Sequence, residues 1–113
     1  MPNAYKILGQ ANPSATTVTT LETVPSSTEV VVSTMTVANL AGTAATYRII
    51  VQPAAEASGS VLNRHYIAYD VTVGALDTTT LTLGITLSAG DVIKVYASTA
   101  NLAFNAFGSE ITA

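Results

Sequence analysis

The chain has 113 residues, 49% of them apolar and only 10% charged, against about 25% charged in an ordinary soluble domain. That length is one domain, and the apolar fraction excludes a disordered chain. Seven acids and four bases are too few for a basic nucleic-acid track, and a chain without cysteine has no disulfide or thiolate chemistry.

Residues 1–15 read as an extended N-terminal arm. Tyr5, Ile7 and Leu8 are apolar, Gly9, Gln10 and the breaker Pro13 follow, and the apolar groups need a surface outside the minimal core. Residues 5–8 could also pair as a strand. From residue 16 onward the period is two, not 3.6, and the dominant residues are Thr and Val, which are stiff at χ1 and suit a pleated surface. Strands are predicted over 17–24, 29–39, 46–52, 64–73, 79–85, 91–98 and 102–107. In 46–52, Tyr47, Ile49 and Val51 share one face while Arg48, Ile50 and Gln52 share the other. In 79–85, Leu81, Leu83 and Ile85 oppose Thr80, Thr82 and Gly84. Turn residues separate the runs at Val24-Pro25-Ser26-Ser27, Leu40-Ala41-Gly42-Thr43, Gly74-Ala75-Leu76-Asp77 and Ser88-Ala89-Gly90-Asp91. The longest connection, 53–61, is either a crossing between two sheets or one short helical turn. Short strands with turn signals every 8–12 residues predict an all-β fold: one antiparallel β-sandwich over 16–113, jelly-roll or immunoglobulin-like, with about seven or eight strands. The last run puts Phe104 and Phe107 on opposite faces, one for the core and one for an exposed or interface face.

The chemistry-bearing residues are sparse. His65 is the sole histidine. A hydrolytic base needs a nucleophile and an orienting group within hydrogen-bond reach. Asp70, five residues on in a strand, falls on the opposite face, and there is no Gly-x-Ser-x-Gly elbow. His65 therefore reads as a strand residue with a hydrogen-bonded ring. One histidine without cysteine does not make a zinc site, and the seven acids are dispersed rather than clustered for calcium. The glycines have no phosphate-cradling spacing. Tyr66 and Tyr69 could stack on a sugar, but at a spacing of three they point to opposite strand faces, with Tyr69 placed inward. No catalytic, cofactor-binding or metal-ligating residue is assigned, and no enzyme activity is expected. No run approaches the roughly 18 apolar residues of a membrane helix, and Met1-Pro2-Asn3-Ala4-Tyr5-Lys6 lacks the features of a secretory signal.

With so little charge, the surface must be built from 18 Thr, nine Ser and alanine, and such a surface suits an assembled part better than a free monomer. The reading is a non-catalytic structural module that forms a homo-oligomer. The interface residues expected are Tyr5, Ile7 and Leu8 in the arm, with Phe104 and Phe107 in the last strand.

The phrases Ala4-Tyr5-Lys6-Ile7-Leu8-Gly9-Gln10, His65-Tyr66-Ile67-Ala68-Tyr69-Asp70, Leu81-Thr82-Leu83-Gly84-Ile85 and Phe104-Asn105-Ala106-Phe107-Gly108-Ser109-Glu110-Ile111 resemble short virion structural proteins of tailed bacteriophages, of the kind found with cyanobacterial and marine hosts. The resemblance runs from about residue 4 to 111. It implies a virion protein made in the host cytoplasm, with itself and other virion proteins as partners and neither nucleic acid nor membrane. The leading station is capsid decoration, many copies cementing the coat lattice. A neck, tail or baseplate part or fibre adaptor in few copies comes next, and a glycan-binding fibre module last. The family supplies no residue-level motif to transfer.

Overall fold

A computed structural model describes residues 3–112. The period-two runs form eight strands: β1 (Asn3–Ala11), β2 (Thr19–Thr23), β3 (Thr28–Asn39), β4 (Ala45–Gln52), β5 (Tyr66–Val73), β6 (Thr78–Leu87), β7 (Val92–Ala97) and β8 (Leu102–Thr112). They make two antiparallel sheets, ordered β1-β8-β3-β6 and β2-β7-β4-β5. The fold is thus the expected β-sandwich. The pairing is nested, with β1 on β8, β2 on β7, β3 on β6 and β4 on β5, like a long hairpin rolled on itself. This is the eight-stranded jelly roll, not the immunoglobulin arrangement.

Only β4 and β5 are neighbours in both sequence and sheet; every other connection passes between the sheets. The segment joining β4 to β5 is therefore the connection that does not cross. It forms two short 3₁₀ turns, Ala54–Glu56 and Asn63–His65. It folds over the outer face of the second sheet, where Lys94 Nζ donates to the Ala57 carbonyl at 2.9 Å.

Residues 3–11, expected as an arm, lie in the first sheet as edge strand β1, hydrogen-bonded along β8. Alternation turns Leu8 inward, and a register shift between Ile7 and Gly9 sets Gly9 inward after it, opposite Ala106, so the segment contributes to the core. Glycines permit this closure: a Cβ at Gly9 would run into the Leu21 carbonyl of β2, and one at Gly108 into the Val31 carbonyl of β3. The last strand also runs beyond the predicted 102–107. Its polar-looking continuation Gly108-Ser109-Glu110 is held on both sides, by β1 and by β3.

Between the sheets, Tyr47 meets Phe104 edge to face at 6.2 Å, amid fully buried Met35, Ile49, Ile93 and Leu102. One end is tied by buried Asn39. Its amide nitrogen donates to the Thr43 carbonyl at 2.8 Å and the Gly74 carbonyl at 3.2 Å, and its oxygen accepts the Ala41 N–H at 3.0 Å. One side chain thereby pins the β3–β4 and β5–β6 loops.

Candidate interaction surfaces

The register defines the outer face of the first sheet. One row crosses all four strands as Ile7, Phe107, Thr34 and Thr82, and beside it Tyr5, Ser109, Val31 and Thr86 form another. Tyr5 is 85% exposed, Ile7 53% and Phe107 36%, so three apolar groups stand together at the β1 side of this face. Gln10 and Asn105 close the next row with a 2.7 Å hydrogen bond. Glu29 is the one charged residue on this face among the described residues. Of the five residues expected at an interface, Leu8 and Phe104 are instead buried in the chain's own core. Phe104 faces inward and Phe107 outward by strand alternation, as the pattern implies.

Inside the same edge, Lys6 Nζ lies 3.3 Å from Glu110 Oε1, and Glu22 of β2 faces them across the sandwich. Burial pushes the Glu22 carboxyl above the usual carboxylate value. The Thr23 backbone hydrogen bond opposes that, Glu110 adds to it, and Lys6 opposes it.

The outer face of the second sheet carries an aromatic cluster that the spacing rule misplaces. Tyr66 and Tyr69 share this face, with ring centroids 4.9 Å apart and perpendicular. Two register shifts between β4 and β5, and the left-handed backbone of Asp70 (φ 50°), break the alternation that would have separated them. The Arg48 guanidinium lies over Tyr69 at 4.2 Å and over Tyr96 at 4.3 Å. It also grips Asp70 in a forked pair, with Nε to Oδ1 at 2.6 Å and Nη2 to Oδ2 at 3.3 Å. The cluster fastens edge strand β5 to β4 and β7, while Tyr69 remains 57% exposed.

His65 ends the second 3₁₀ turn and is buried. Its Nδ1 accepts the Leu62 N–H at 2.9 Å, and Nε2 lies 2.7 Å from Glu56 Oε1. That oxygen also accepts from Arg64 at 2.5 Å. The His65 contact, reinforced by Arg64, holds the Glu56 carboxyl below its usual range. The ring's hydrogen-bond partners are Glu56, Leu62 and Gln52, none of them a hydroxyl or thiol, and Asp70 is paired with Arg48. The group is a brace for the 53–65 connection. A shallow groove of about 330 Å³ beside it is lined by Val51, Pro53, Ile67 and Thr86, along with Arg64 and His65. Among the described residues, no three His, Cys, Asp or Glu side chains are grouped to hold a metal ion.

The loop end carries two exposed leucines that sequence pattern did not single out. Leu40 and Leu76 lie on neighbouring loops, with the Leu76 N–H bonded to the Ala41 carbonyl at 2.9 Å.

No protein-family model matches the chain. No curated protein matches it either. Among solved structures, it is similar to a pentameric capsid protein isolated from metagenomic phage sequences, with 16% identity, a TM-score of 0.42, and coverage of 96% of this chain and 64% of that one. A second structure of a protein so described, solved by iodide phasing, aligns at 15% identity and a TM-score of 0.38, over 96% of this chain and 65% of the other. The chain thus spans just under two-thirds of the length of each.

Proposed function

We propose that the protein is a non-enzymatic structural component of a phage virion, a decoration protein that self-associates and docks on the coat lattice through the outer face of its β1–β8 pair. The observation that carries this is the exposed trio Tyr5, Ile7 and Phe107, set on a sheet face that is otherwise mostly threonine, alanine and amide. Large apolar side chains gathered on one face are costly to leave in water and characterise contact sites. The jelly roll is shared by capsid and lectin domains, so it is compatible with the reading without carrying it. The sequence resemblance supports the phage assignment, in its tailed, cyanophage-like form.

Quantitative mass spectrometry of purified virions tests it. Copy number comparable to the major coat protein is the expected result. A handful of copies moves the protein to the neck, tail or baseplate, and absence from the particle refutes the virion reading. Because β1 belongs to the sheet, docking is tested by substitution, not truncation: Tyr5→Ser with Ile7→Ser and Phe107→Ser should leave a folded protein that no longer enters particles. A second reading, glycan binding, is favoured by one observation, the shared face of Tyr66 and exposed Tyr69. A glycan array without binding removes it.

A further inference from the structure

We infer that the free edge of β6 pairs antiparallel with β6 of a second copy of this chain, joining two four-stranded sheets into one. The inference deepens the self-association in the proposed function and rests on it, but it is independent of which virion protein the chain docks on. A sheet edge presents unpaired N–H and C=O groups, and folded chains guard such edges with charge, proline, bulges or brevity. The edges here are β1, β2, β5 and β6. β1 carries Lys6; β2 has five residues and carries Glu22; β5 carries Asp70 and two register shifts. β6 runs for ten residues, Thr78 to Leu87, without a charge or a proline; it pairs only with β3, with one register shift between Thr82 and Ile85. Its inward residues Leu81, Leu83 and Ile85 are only partly buried, so this side of the core lacks a full cover.

The pattern of β6 selects the occupant. Thr78, Thr80, Thr82 and Thr86 face outward at even positions, with Leu81, Leu83, Ile85 and Leu87 inward at odd ones. Antiparallel self-pairing about a two-fold axis with faces matched sets Thr opposite Thr and Leu or Ile opposite Leu or Ile, both favourable cross-strand pairs, with no like charges opposed. Ten strand residues extend about 33 Å. Pairing over that length offers about ten backbone hydrogen bonds to a second copy. Gly84 lies exposed in mid-strand, within the register shift between β3 and β6, and a Cβ there would touch nothing in this chain.

Sedimentation equilibrium on the full chain tests this, with Thr82→Lys and Thr80→Lys as two independent edge variants, each checked for wild-type circular dichroism and melting. The expected result is a wild-type dimer and loss of the dimer in both lysine variants, while the Tyr5, Ile7 and Phe107 triple variant still dimerises. A wild type monomeric up to its solubility limit overturns the inference, as does dimerisation that survives both lysines. Lysine variants that lose the dimer yet still enter particles would separate the two proposals, supporting β6 pairing and leaving docking on the β1–β8 face.

Discussion

Phe104 and Phe107 stand three residues apart on one strand, and removing each ring should have unlike consequences. Phe104 is fully buried and abuts Tyr47 edge to face. Truncation to alanine removes its transfer free energy, opens a cavity between two sheets that are each held by backbone ladders, and ends the aromatic contact. Such sites cost about 3–5 kcal/mol. For a domain of this size that lowers the melting temperature by more than about 12 °C, since each kcal/mol corresponds to about 4–8 °C. Phe107, 36% exposed beside Ile7 and Thr34, leaves no sealed void when truncated, and the loss should be about 1 kcal/mol. Urea unfolding reads both, with the slope unchanged and the midpoint shifted strongly only for Phe104→Ala. Equal costs for the two substitutions would refute the assignment of inward and outward faces along β8.

Asn39→Ala should destabilise by about 1–3 kcal/mol in the same assay, because the Ala41 N–H and the Thr43 and Gly74 carbonyls lose a buried partner. Gly108→Ala should cost about 1–3 kcal/mol or more through collision with the Val31 carbonyl, whereas Gly84→Ala, with open space around it, should leave the monomer's melting point unchanged or raised. Two carboxylates should show opposite pH slopes. Glu22 has a raised folded value, so its folded state holds the proton more tightly and stability is lost as pH rises through that value. Glu22→Gln should therefore raise the melting temperature at pH 7, with the gain vanishing below the ordinary carboxylate value. Glu56 has a lowered value and contributes stability above the ordinary carboxylate value that is lost as pH falls through the folded one, so Glu56→Gln should lower the melting temperature at pH 7 and not at strongly acid pH. Self-association should change little between about 0.05 and 0.5 M NaCl, because Lys6, Arg48, Arg64 and Lys94 are each held by an internal partner; a steep fall in sedimentation-derived affinity would contradict that.

Strand existence is legible in this chain because threonine and valine alternate with apolar residues at period two, and that signal is local. Topology is not local. In the nested roll, β1 meets β8 and β2 meets β7 across nearly the whole chain, and nothing in either segment names its partner. That is why jelly roll and immunoglobulin arrangements stay equal at the level of pattern. It is also why residues 3–11 resemble an arm: their cover, β8 and the Leu21 backbone, is remote in sequence. Parity arguments hold wherever pairing is regular and fail at bulges. Phe104 and Phe107 divide as alternation requires, whereas Tyr66 and Tyr69 do not, because the register of β5 shifts between and beside them. Asp70 could have signalled this, since Asp is among the few residues that tolerate a left-handed backbone.

The sparse charge has a consequence that composition alone leaves open. Four cations and seven acids could have been spread as a solubilising coat, but the fold gathers the cations into internal ties: Arg48 between two tyrosines and Asp70, Arg64 on Glu56, Lys6 on Glu110, and Lys94 on the Ala57 carbonyl. Three of these ties fasten the second sheet and its covering connection, and the fourth joins β1 to β8. Apart from Glu29, the outer face of the first sheet and the edge of β6 are left with threonine, alanine, amides and a few large apolar groups. Repulsion between copies is weakest at these two surfaces, and the first also presents Tyr5, Ile7 and Phe107 as contact area. Under the proposed self-association and docking, cations already paired within the molecule and an edge strand without charge leave the contact to backbone and apolar area more than to ionic steering.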